Sequence, residues 1–278
     1  MAPRITAEVT AMIGVERQGK YASEGRRQVA NYVDEMTEQM LADAGIRAGM
    51  RVLDIGCGPG AVSLMLSQRV GSQGHVFAVD RNPRMLDMAR ERARVAGVSN
   101  LTFVEGGFDV IFPEHGTLDA AVGRRVLMYQ PDAPQSVAWL ARAVRPGGVI
   151  AFQEHDTVEV TDRRTGLPLH DRVRSWLREM LRREGANLHM GLDLYSVLTA
   201  AGLSVERVRA EANVGTPTAG YPVAAIIRAV LPRMLEHEIV TEKEADVETL
   251  DDRLMAERRE ANAICIWEMV FWAWARKQ

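Results

Sequence analysis

The chain has 278 residues, of which 47% are hydrophobic and 26% charged, enough apolar material for a full core in one enlarged α/β domain or a domain with an appendage. A formal net charge of −3 sets up no general attraction to nucleic acid or to an anionic membrane surface. Its two cysteines, Cys57 and Cys265, cannot form a disulfide framework and lack metal-ligand spacing.

The N-terminal Met-Ala-Pro-Arg-Ile-Thr lacks the apolar core of a signal peptide. The longest apolar stretch, Ala263 to Ala275, is too short to span a bilayer and is interrupted by Glu268, so a cytoplasmic location is expected. Residues before about Gly25 read as a short helix or arm that includes Tyr21. From Arg26 to Ala44, Val29, Val33, Met36, Met40 and Leu41 recur at helical spacing, which predicts an amphipathic helix packed on the edge of the core; residues 1–44 together are expected to form an N-terminal helical arm or lid.

Met50 to Ile55 reads as the first strand, and it stops at Asp54-Ile55 before Gly56-Cys57-Gly58-Pro59-Gly60. A helix from Val62 to Arg69 follows. Strand, glycine turn and helix start in this order make a cradle for a nucleotide cofactor, because glycine accepts positive φ and lets the backbone approach a ligand. Ala61 and Val62 stand where a dinucleotide fingerprint would run on to its third glycine. Cys57 within the turn reads as a small side chain or a nucleophile. The second strand, His75 to Asp80, again ends in an acid, about twenty residues beyond the turn, where a carboxylate can accept from both ribose hydroxyls. Pro83 opens the next helix, whose Met85, Met88, Ala89 and Ala93 share a face. Third, fourth and fifth strands follow at Leu101–Val104, Leu118–Val122 and Val149–Gln153; between the last two, a helix from Pro134 to Val144 stops at Arg145-Pro146-Gly147-Gly148. This β-α alternation with short turns predicts a parallel sheet covered on both faces.

D-I-G-C-G-P-G, the V-D-x-N-P-x-M-L at the second strand, G-R-R-V at the fourth and the R-P-G-G turn together resemble class I S-adenosylmethionine-dependent methyltransferases, over roughly residues 45 to 156. The resemblance implies a Rossmann-like, seven-stranded, mostly parallel sheet with an antiparallel C-terminal strand. It also implies that Gly56, Cys57, Gly58 and Gly60 pass beneath the methionine end of the cofactor, that Asp54 helps hold its amino group, and that Asp80 binds the ribose. Arg81 and Met85 would flank the adenine, and Tyr21 would cover the cofactor or else be a surface tyrosine. Where the family continues Gly-Asp-Ala after the third strand, this chain reads Glu105-Gly106-Gly107-Phe108-Asp109, so the adenine contact falls to the Gly107 backbone, to Phe108 stacking or to Asp109. Arg124 is placed to meet the cofactor carboxylate or an acidic substrate group, or to form a structural salt bridge.

After Asp156 the alternation breaks. Helices are expected at Asp171–Glu184, Gly191–Gly202, Tyr221–Glu238 (kinked or broken at Pro232) and Thr241–Glu260, with a sixth strand at Leu203–Glu211. The run Ile264 to Trp274, apolar on both alternating faces, suits a strand inside a sheet, and its tryptophans read as core. Residues 157–190 and 212–262 are therefore expected to be helical lid insertions, with 191–211 and 263–278 completing the core sheet; in this fold such helices lie near the cofactor, and their Met-bearing apolar character suits a small, largely apolar acceptor.

Methyl transfer from a sulfonium is an in-line displacement that needs mainly alignment, with a general base for hydroxyl, amine or carbon-acid acceptors. Glu154 and His155, at the end of the fifth strand, are the candidate base; a hydrogen-bonded structural role is the other reading of His155. No metal-ligand spacing and no basic-aromatic patch is present, and the N-P-P-Y-like signature of base-amino methylation is absent. The expectation is a methyltransferase for a small metabolite, of the quinone, sterol or natural-product kind, producing S-adenosylhomocysteine. Cyclase or regulatory chemistry on the same cofactor, or a nicotinamide-dependent oxidoreductase, are the alternatives. The oligomeric state is left open.

Overall fold

The computed structural model describes residues 33–109, 116–156, 166–221 and 223–278. In chain order these form helix α1 (33–43), β1 (Arg51–Ile55), α2 (Ala61–Val70), β2 (His75–Asp80), α3 (Pro83–Ala96), β3 (Leu101–Glu105) and β4 (Leu118–Arg124). A 3-10 turn (Leu127–Tyr129), α4 (Ala133–Ala143), β5 (Val144–Asp156), α5 (Pro168–Arg183), α6 (Met190–Ala200) and β6 (Ser204–Gly215) come next. The chain continues through α7 (Val223–Glu236), α8 (Glu242–Ala245), α9 (Leu250–Ala261) and β7 (Cys265–Arg276). They group into two compact units, of which the larger takes Glu35–Asp156, His189–Glu211 and Val270–Gln278.

The sheet order is β3-β2-β1-β4-β5-β7-β6. β1 pairs in parallel with β2 and β4, β2 with β3, and β4 with β5. Gly147 N–H donates to Lys277 O and Lys277 N–H to Gly148 O, which sets the end of β7 beside the start of β5 and makes β7 antiparallel to it. The seven strands and their one reversed C-terminal member thus match the expectation. Local chemistry explains the framing helices. Asn82 accepts the Arg84 amide at the start of α3, Asp132 accepts the Gln135 amide at the start of α4, and Gly97 ends α3 in a left-handed conformation. Val52, Leu53, Ala120, Ala121, Val122, Ile150, Ala151 and Phe152 form the buried centre of the sheet.

Several boundaries differ from the sequence reading. The R-P-G-G turn is absorbed into β5, which begins at Val144, opposite an irregularity in β4 between Leu118 and Ala120. From Glu35 onward α1 groups with the larger unit, with Met36, Met40 and Leu41 buried, as a helix packed on the core would be. The helix expected over 241–260 is two: Thr241 and Glu244 close a capping box on the single turn of α8, and Asp246 then turns left-handed at φ 35°. Helix α7 runs through Pro232 without ending; Ile227 and Met234, both fully buried, hold it on either side.

In the smaller unit, whose described parts are 166–188, 212–221 and 223–269, a buried bolt ties α5 to α9. Glu257 accepts the Leu169 and His170 amides and lies 2.7 Å from His170 Nδ1, while Arg258 Nη1 reaches His170 Nε2 at 2.7 Å and its Nε donates to Thr216 O. Burial lowers the His170 pKa, so the ring is neutral, giving its Nδ1 proton to Glu257 and accepting from Arg258. His170 is thereby a structural residue.

Candidate active site

The site is built at the carboxyl ends of β1, β2 and β4, all in the larger unit. Gly56, Gly58 and Gly60 have φ of 69°, 51° and 84°, a conformation that side-chain-bearing residues adopt only at a cost. Two of them are also sterically required. A Cβ on Gly56 would lie 2.5 Å from Val126 Cγ2, and one on Gly60 would lie 2.9 Å from Ala89 Cβ, where α2 and α3 approach. A Cβ on Gly58 would meet nothing within 4 Å, so the middle of the turn faces open space.

Asp80 ends β2 beside that opening. Its Oδ2 accepts the Gly58 amide at 2.8 Å and its Oδ1 accepts the Asn82 amide at 2.8 Å, which fixes the carboxylate against the glycine turn and leaves each oxygen a lone pair. Asp54 lies deeper, 1% exposed, and accepts a hydrogen bond from Ser63 Oγ of α2. Burial pushes its pKa up to about 7, against the Ser63 bond and the Arg124 charge and with help from the Asp80 charge. Cys57 packs in a buried cluster with Ala78 and Leu86, against Phe103. Burial, with Asp54 and Asp80 adding to it, raises its pKa far above the ordinary thiol range, so it is a neutral packing side chain.

On the far side, the Arg81 guanidinium lies over Gly107: a Cβ there would be 2.4 Å from Arg81 Nε. Phe108 is buried with its ring stacked on Phe152, 6.4 Å between centroids. Met85 is half-buried on the first turns of α3. Arg124 donates to Thr37 Oγ1 at 3.0 Å, and Thr37 in turn donates to Gln153 Oε1 at 2.7 Å, so α1 and β5 fix the cation near Asp54. Tyr21 lies outside the described residues.

Glu154 is completely buried, and its Oε1 accepts the amides of Val126 and Leu127, both at 2.8 Å. Burial lifts its pKa to about 7. His155 beside it is half-buried. One strand position further, Asp156 Oδ2 stands 3.8 Å from His189 Nδ1, at the start of α6. Ser63, Thr37, Gln153 and the Asp156–His189 pair were not evident in the sequence. The available signal was a polar residue on a buried helix face, as Ser63 is between Val62 and Leu66. Among the described residues no group of three or more metal-ligating side chains converges, and no helix is long and apolar enough to cross a membrane.

A glycine turn open at its centre, an acid locked beside it, a buried acid and a cation at the other end fit a nucleoside cofactor that carries an amino acid. Fold and site thus define a Rossmann-like enzyme of the kind that holds S-adenosylmethionine at the carboxyl edge of its sheet. Residues 46–204, more than half of the chain, match the family described as a methyltransferase domain, and the chain belongs to that family. It is 37% identical over 105 residues to the aklanonic acid methyltransferase of a Streptomyces strain, covering 37% of this chain and 47% of that one. It is 30% identical over 117 residues to the demethylmenaquinone methyltransferase of Staphylococcus aureus, covering 42% and 48%. The chain spans about half the length of the curated relatives it matches. A solved geranyl diphosphate methyltransferase in complex with S-adenosylmethionine shares the fold, with a TM-score of 0.59 at 17% identity over 96% of this chain and 94% of that one.

Proposed function

We propose that this protein transfers the methyl group of S-adenosylmethionine to a small, largely apolar metabolite. The observation that carries this is Asp80 locked to the Gly58 amide beside an open glycine turn, an arrangement that suits the two hydroxyls of a ribose. When bound, the cofactor supplies an electrophilic methyl on a sulfonium. The chain's own work is to bind and orient. Asp80 takes the ribose, Asp54 and Arg124 take the ammonium and carboxylate of the methionine end, and Arg81, Met85 and the Gly107 backbone border the base. A base is needed only for an acceptor that must lose a proton. His155 at the end of β5, or His189 at the start of α6 beside Asp156, is available for that task. The small-metabolite class is supported by relatives named for aklanonic acid and demethylmenaquinone.

The test is calorimetric titration with S-adenosylmethionine, S-adenosylhomocysteine and NADH, followed by mass analysis of polyketide- and quinone-like acceptors. Micromolar binding of the first two that is lost in Asp80→Ala, and a product heavier by one methylene, are expected. Binding of NADH instead, or an acceptor converted without a change in mass, overturns methyl transfer.

A further inference from the structure

Glu154 accepts its hydrogen bonds from backbone amides. Its Oε1 holds the amides of Val126 and Leu127, while Oε2 is buried and has no hydrogen-bond partner among the described residues. The segment it holds is unusual. Arg125 adopts φ 55° without being glycine, with its amide donating to Gln153 O at 2.8 Å. Such a conformation is strained for a residue with a side chain and persists only where surrounding contacts over-determine it. Immediately afterwards the chain starts the 3-10 turn Leu127–Tyr129, for which Val126 offers no side-chain cap. The first amides of that turn are therefore orphan donors, and β5 supplies their acceptor. Between the strained residue and the turn, the Val126 side chain is wedged against the loop: it occupies the space a Cβ would take on Gly56, and beside the Phe152 ring it crowds Gly123.

We propose that Glu154 is a positioning residue: by accepting the Val126 and Leu127 amides it seats the Val126 side chain against Gly56, and through it sets the glycine turn where that turn meets the methionine end of the cofactor. The inference rests on the cofactor reading above. It assigns Glu154 to loop placement rather than to proton transfer. The carboxyl's raised pKa agrees with this, since a neutral acid still accepts both amides through its carbonyl oxygen, as a glutamine would.

The experiment compares Glu154→Gln, Glu154→Ala, Val126→Ala and the Glu154→Ala/Val126→Ala pair, well below each variant's unfolding temperature. Two readouts are taken: S-adenosylhomocysteine affinity, and hydrogen exchange of the Val126 and Leu127 amides. Glu154→Gln should bind within about twofold of the parent chain and keep both amides protected. Glu154→Ala should expose them and weaken binding about tenfold, the order expected for losing one backbone-fixing contact. Val126→Ala should weaken binding with the amides still protected, and the double variant should lose less than the product of the two single losses. Equal losses in Glu154→Gln and Glu154→Ala, unchanged affinity in Glu154→Ala, or fully multiplicative losses would each overturn the proposal. If the parent chain binds no S-adenosylhomocysteine, the cofactor reading fails instead, and the amide exchange still reports whether Glu154 holds the turn.

Discussion

The buried state of Asp54 makes cofactor affinity depend on pH in a defined direction. Burial lifts this carboxyl to a pKa of about 7, so in the empty site it is half neutral at that pH. An ammonium placed near it requires the ionised form and pulls the pKa back down, and the proton must leave when the ligand arrives. Binding therefore weakens as the pH falls. If the complexed carboxyl titrates well below about pH 5, affinity drops about 25-fold between pH 7.5 and 5.5, or ~1.9 kcal/mol, and about half a proton is released per ligand near pH 7. S-adenosylhomocysteine is the suitable probe, because its ammonium, on a carbon that also bears a carboxylate, keeps its proton across this window. Calorimetry in two buffers of different ionisation enthalpy reads both affinity and proton count, with Asp54→Asn as the control in which the proton release disappears. Affinity flat across the window, or the same slope in Asp54→Asn, would refute the reasoning.

Other expectations concern the same loop and its supports. Asp80→Ala removes the acceptor for two ribose hydroxyls at about 1.5 kcal/mol or more each, so S-adenosylhomocysteine affinity should fall about 100-fold, measured by titration. Gly56→Ala places a methyl 2.5 Å from Val126 Cγ2 at positive φ, and should cost about 2–4 kcal/mol of stability by chemical denaturation, partly recovered by adding Val126→Ala. Ser63→Ala deletes the hydroxyl that favours ionised Asp54, so the midpoint of the affinity–pH curve should move upward, alongside about 1–2 kcal/mol of lost stability. Glu154 binds its proton more tightly in the fold than in the unfolded chain, so its contribution is full below the ordinary carboxylate range and is lost as the pH rises towards about 7. Between about pH 5 and 8, Glu154→Gln should flatten the fall in unfolding free energy by up to about 3 kcal/mol; His170, with its lowered pKa, tilts the parent curve the other way and cancels in the comparison.

What could be read directly from the residues was the part governed by local rules. Val52 to Gly60 announces a strand and a positive-φ turn by composition alone, Val76 to Asp80 announces a second strand that ends in an acid, and the two-sided apolar run in β7 betrays a strand buried within the sheet. Site details that depend on long-range pairing were not accessible. Nothing near Glu154 in sequence reveals that its oxygen meets Val126 and Leu127, 28 and 27 positions away, or that Thr37 on a remote helix links Arg124 to Gln153. Gly107 and Arg81 show the same limit: a missing acid is visible in the chain, whereas the guanidinium lying over the vacated position is not. Pro232 is the converse case: of the kink or break expected there, the break does not occur, and buried Ile227 and Met234 flank it within one helix.

The place of β7 in the sheet has a consequence for how the molecule comes to be folded. Its strand enters between β5 and β6, though it is the last of the seven to leave the ribosome. Until then β5 and β6 have no common neighbour, and each offers an open hydrogen-bonding edge during synthesis. The strands β1 to β4, by contrast, are complete long before that moment. Assembly is thus split in time: a half-sheet made early, then a late strand insertion between elements made much earlier, the kind of long-range closure that slows folding.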